Sequence, residues 1–104
     1  MATLPVSIDK LTELVNAKAV ENADDILITK HCELRMDERG INRREVWTCL
    51  RRGCVCSEPT FDTDKGSWTF KFQEPAPRNI ICVVVAVQFD ESGEALFVLT
   101  AYEV

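Results

Sequence analysis

The chain has 104 residues, 46% of them hydrophobic, and a formal net charge of -5. That is enough apolar content for one core without disulfide staples, and it is too acidic for a generic nucleic-acid binder, which gains affinity by neutralising phosphates. The longest apolar run, Ile80 to Val87, is far too short for a membrane span, the N-terminus lacks the basic-then-apolar order of a secretory leader, and five scattered cysteines suit a reducing compartment, so a single cytoplasmic domain over 1–104 with no membrane partner is expected.

Ser7 is an N-cap for a first helix in which Ile8, Leu11, Leu14 and Val15 recur at helical spacing, running to about Lys18. Residues 1–25 read as this helix plus an acidic connector, and 26–104 as the remaining core. After the short apolar run Ile26, Leu27, Ile28, Thr29 caps a second helix from Lys30 to Arg39, which Gly40 ends in the left-handed conformation. Asn42 followed by Glu45 is a capping-box pattern for a third helix stopped by Gly53, with Val46, Trp47 and Leu50 on its inner face and Trp47 as the expected anchor.

Beyond Gly53 the period becomes two. Cys54 to Ser57 predicts a short strand, Pro59 to Gly66 a loop, and Trp68, Phe70 and Phe72, alternating with Thr69 and Lys71, a half-buried strand. Ile80 to Phe89 predicts a central strand, Asp90 to Gly93 a hairpin connection and Ala95 to Val104 a second central strand. The expected fold class is α+β: two to three N-terminal helices on a four-stranded antiparallel sheet ordered along the chain.

The most informative stretch runs from His31 to Ile41. His31, Arg35 and Arg39 fall within about 80° on a helix, between Leu34 and Ile41 on one side and Cys32 and Met36 on the other. A cationic row between apolar edges requires an anionic partner, because burying a guanidinium costs several kcal/mol unless it is paired. That partner is either internal, with Glu38 or Glu103 completing a structural network, or a bound phosphate held by Arg35 and Arg39 beside a proton-exchanging His31.

The pattern His31, Arg35, Met36, Arg39, Gly40, Ile41, closing with Thr100, Tyr102 and Glu103, resembles an uncharacterised bacterial group within the RelE-like ribonuclease toxin superfamily, over about residues 26 to 104. The resemblance implies a RelE-like fold and metal-independent, cofactor-free RNA cleavage by attack of the ribose 2′-hydroxyl on its own phosphate. It further implies two partners, RNA and a cognate antitoxin. Carried onto this sequence, Arg35, Arg39 and Thr100 would bind phosphate, His31 would act as base or acid, and Lys71 or Tyr102 would complete the catalytic set. The alternative is a non-catalytic module of the same fold that grips protein or nucleic acid, with Tyr102 packed in the core. Cys54 and Cys56 share a side of their strand, and Cys32, Cys49 or His31 would be needed to complete a metal site. The Cys-x-x-Cys knuckle of zinc sites is absent, so buried apolar thiols and no metal are expected.

Overall fold

The computed structural model describes residues 3–104. Helix α1 spans Ile8–Glu21, three residues past the expected end, with Leu11, Val15 and Ala19 as its buried stripe. The Ser7 hydroxyl accepts from the Lys10 amide at 3.1 Å. Helix α2, Lys30–Arg39, has the expected bounds, with Gly40 at φ 68°. Its cap does more than end a helix: Thr29 Oγ1 accepts from the Cys32 amide and donates to the Val98 carbonyl, each at 3.1 Å. Helix α3, Arg43–Arg52, carries the full Asn42–Glu45 capping box. At its end, a Cβ on Gly53 would meet the Cys49 and Gln73 carbonyl oxygens at 2.5 and 2.7 Å, so only glycine lets the chain pass this close to the sheet.

The strands are β1 Ile26–Ile28, β2 Cys54–Val55, β3 Thr60–Asp62, β4 Ser67–Gln73, β5 Ile81–Asp90 and β6 Gly93–Glu103. They form one six-stranded mixed sheet in the order β1-β6-β5-β4-β2, with β3 also on β4. The expectation of a four-stranded antiparallel sheet in chain order is therefore wrong. Ile26–Ile28 pairs parallel with Leu96–Val98 of β6, and Thr60–Asp62, expected as loop, pairs with Ser67–Thr69 of β4. Both added strands have three residues, too few for a period to register. Their pairing is fixed by the long strands beside them. The α+β class and the three helices stand.

Helices and strands share one core. It gathers Leu11 and Val15, Cys32 and Met36, Val46, Cys49 and Leu50 with Phe70, Phe72, Val83, Val85, Val98 and Ala101. Trp47 only packs partly against this cluster, so Leu50 and Val46, both fully buried, anchor α3 instead. The reason is angular: Val46, Cys49 and Leu50 centre the inner stripe, and Trp47 falls on its margin. No helix among the described residues is long and apolar enough to cross a membrane.

One irregularity in β6 positions everything that follows. Val84 pairs with Thr100, but Val85 pairs with Val98, so Leu99 is an extra residue. Leu96 and Val98 point into the core, and strict alternation would send Thr100 and Tyr102 there too. The bulge reverses the parity: Ala101 is buried and Thr100 and Tyr102 turn to the face that carries no helix.

Candidate functional site on the helix-free face

Register brings the strand residues together. Lys71 pairs with Val84, and Val84 with Thr100, while Tyr102 pairs with Cys82. Directly paired residues share a face, so Lys71, Thr100 and Tyr102 lie on one surface three strands wide, across β4, β5 and β6. Cys56 joins them, its amide donating to the Lys71 carbonyl at 2.9 Å.

Tyr102 meets both Cys82 and Lys71. Its contact with the Cys82 thiol, then its desolvation, raise the hydroxyl above the ordinary tyrosine value, against a smaller opposing pull from Lys71. The phenol consequently keeps its proton through neutral pH. Burial, followed by the neighbouring Cys82 and Cys54 thiols, likewise raises Cys56, again with Lys71 pulling the other way. The patch thus offers the Lys71 side chain, a phenol and a Cys56 thiol that both hold their protons, and the Cys82 thiol, with the Thr100 hydroxyl at its edge. Cys56 stands out in sequence only as sharing a strand side with Cys54, and Cys82 does not stand out; the usable signal was parity, since Cys82 sits opposite Tyr102 once the hairpin register is set.

The α2 row divides among three situations. Arg39 reaches the sheet edge left open where β1 ends, its Nη1 donating to the Ala101 carbonyl at 2.8 Å and to Thr100 Oγ1 at 3.2 Å. Arg35 is ion-paired to Glu38 at 2.9 Å, so Glu38 rather than Glu103 is the internal partner. His31 is exposed at the start of the helix, about 12 Å along the axis from Arg39. The structure therefore joins Arg39 to Thr100 and the Lys71–Tyr102 patch, and leaves His31 and Arg35 further along the rim.

These placements predict unequal stability effects. Arg39→Ala strands the Ala101 carbonyl at the edge of the sheet and is expected to cost about 1–2 kcal/mol, in the range of hydrogen bonds from charged donors. Arg35→Gln removes only an exposed pair and should change stability by less than about 0.5 kcal/mol. Urea unfolding of the two variants decides the matter, and a greater loss at Arg35 would contradict the assignment.

Two cavities flank the patch differently. A shallow groove of about 340 Å³ continues along the same face between Thr69, Ala86, Phe97 and Leu99. A larger hollow of about 780 Å³ lies on the far side of α2, bounded by Leu34, Met36, Asp37 and Ile41. Glu33 and Arg43 at its rim pair with each other, and none of the row residues lines it. Size favours the second and chemistry the first.

The thiols separate by face. Cys32 and Cys49 are buried among the helices, and burial pushes Cys49 up to about 12. Only Cys54 and Cys56 are exposed. A disulfide reagent should accordingly titrate two thiols rapidly in the folded protein and all five in denaturant, and rapid reaction of a third would show that Cys82 is not sheltered beneath Tyr102.

A family model matches residues 28–103, from the last residue of β1 to the end of β6, and its description is a domain of unknown function, DUF4258. No curated protein and no solved structure matches the chain.

Proposed function

We propose, starting from a chain that belongs to the DUF4258 family, that the protein is a RelE-like ribonuclease toxin of the cytoplasm working on the helix-free face of its sheet. The observation that carries the reading is the meeting of Lys71 and Tyr102 beside the Arg39–Thr100 contact. In-line transesterification needs charge stabilisation on the phosphorus and a proton for the leaving group, with no metal or cofactor. The 2′-hydroxyl oxygen forms a bond to phosphorus as the P–O5′ bond breaks, giving a 2′,3′-cyclic phosphate and a 5′-hydroxyl. Lys71 faces the non-bridging oxygens, with Arg39 and Thr100 steering the phosphate. The Tyr102 phenol gives its proton to the departing 5′-oxygen. His31 stands too far along α2 to take the 2′-hydroxyl proton, which passes to solvent water, so His31 and Arg35 hold the RNA backbone beyond the scissile phosphate, Arg35 by exchanging Glu38 for it. A cognate antitoxin would hold the enzyme inactive by covering this face.

A second reading has its own support. Arg35 is already paired and Arg39 already engaged, which leaves fewer free cations for a transition state and favours a non-catalytic binding module. Induced expression in a bacterial host separates the two, comparing wild type with the double variant Lys71→Met, Tyr102→Phe. Growth arrest with broken RNA in the wild type alone is expected of the toxin. Undisturbed growth and intact RNA at equal soluble expression would leave the binding module.

A further inference from the structure

Among the described residues, four of the twelve lysine and arginine side chains are ion-paired, namely Lys10, Lys18, Arg35 and Arg43. On α2, Arg35 is paired and Arg39 is engaged by Thr100 and the Ala101 carbonyl, and four of the unpaired cations collect elsewhere. Arg44, Arg51 and Arg52 are exposed on α3, and Arg78 is exposed on the loop before β5. Among the described residues none of these four has a carboxylate within 4 Å. In an acidic chain, carboxylates are abundant enough that such a cluster is not a default outcome.

Geometry makes the cluster a surface. Arg44, Thr48, Arg51 and Arg52 recur at i, i+4, i+7 and i+8, a single stripe along about 12 Å of helix. Arg51 Nη2 lies against Thr48 Oγ1 at 3.4 Å. Arg44, Thr48 and Arg78 meet across a cleft of about 400 Å³ between α3 and the loop. Glu45 and Glu74 also border that cleft, but Glu45 Oε1 is committed to the Asn42 amide in the capping box. Trp47, half-buried at the side of the stripe, is one helical turn from both Arg44 and Arg51.

We propose that this arginine face of α3, with Arg78, is a second contact surface that holds the phosphate backbone of single-stranded RNA outside the cleavage patch. It rests on the reading of RNA as the partner. Guanidinium groups suit both phosphates and carboxylates, so arginine alone would not choose between RNA and an acidic peptide. Trp47 does, because a ring beside a cationic row is the combination that stacks a base while the backbone is held. The surface also resolves the charge problem: a protein of net charge -5 binds a polyanion through a local row of unpaired cations.

The test uses a labelled 2′-O-methyl RNA oligonucleotide, which lacks the attacking hydroxyl and is not cut, with binding followed by fluorescence anisotropy across a salt series. Each phosphate contact on a single strand contributes about 0.7 to the slope of log K against log salt. The triple variant Arg44→Gln, Arg51→Gln, Arg52→Gln should lower that slope by about 2, and the single variant Arg52→Gln by about 0.7. Lys71→Met should change it by no more than one contact. An unchanged slope in the triple variant, no binding by the wild type, or displacement of the oligonucleotide by polyglutamate as readily as by unlabelled RNA would each overturn the proposal. Failure of the wild type to cut ordinary RNA, with the slope changes intact, would overturn the nuclease and leave this surface in place.

Discussion

Replacing Phe72 with alanine is expected to lower the free energy of unfolding by about 3–5 kcal/mol, the usual cost of deleting a buried aromatic ring. Phe72 is fully buried, pairs with Val83 on one side and Val55 on the other, and has Phe70 as a neighbour at 6.4 Å between ring centroids. Its carbonyl also accepts from the Cys49 thiol of α3 at 3.5 Å. It therefore joins the third helix to the middle of the sheet. Trp47→Ala should cost clearly less, because that ring is only half-buried. Urea titrations of both variants in parallel give the ranking, and a greater loss at Trp47 would mean that α3 is anchored through its margin.

The same contrast shows where the sequence was legible. Caps are local chemistry, and Ser7, Thr29 and the Asn42–Glu45 box could be placed from a few residues each. The long strands declared themselves by alternation in Trp68 to Phe72 and by β-branched content in Ile81 to Val87. What escaped was non-local. Ile26–Ile28 has too few residues for a period, and it becomes a strand because β6 offers an edge beside it. Thr60–Asp62 follows a proline and precedes a tight turn, so its local signals describe a loop while β4 supplies the pairing. The bulge at Leu99 belongs to neither class: its trace is the break in parity between Val98 and Ala101, visible only when both are known to be core.

That break decides how much of the site could be anticipated. Lys71, Thr100 and Tyr102 were singled out by residue type, but their meeting depends on the β4–β5 and β5–β6 registers and on the extra residue that turns Tyr102 outward. The α2 row was legible as a stripe and not as a set of contacts. Helical angle placed Arg35 and Arg39 together, whereas the open edge of β6 drew one away from the other.

Tyr102→Phe is expected to reduce RNA cleavage by about 10²- to 10³-fold, within the range for loss of a positioned general acid, and Lys71→Met by a similar factor through lost charge stabilisation on the phosphoryl oxygens. Neither change should alter stability by more than about 0.5 kcal/mol, since Lys71 is exposed and the tyrosine ring is retained. The pH profile carries the sharper signature. Because contact with Cys82 and desolvation raise the Tyr102 hydroxyl, the proton donor is present at all lower pH values and is lost only as the pH rises through its folded value. The wild-type alkaline limb should therefore lie above the ordinary tyrosine value of about 10, and Tyr102→Phe should lose the phenol's part of it and keep the part that depends on the Lys71 charge. The linked stability term has the same sign: it is fully present below the unfolded value and disappears as the pH rises through the folded one. Single-turnover cleavage of a short RNA, measured across pH for wild type and both variants, reads the effect directly. A phenylalanine variant cutting within twofold of wild type would make Tyr102 a packing residue and move the proton donor elsewhere on the face.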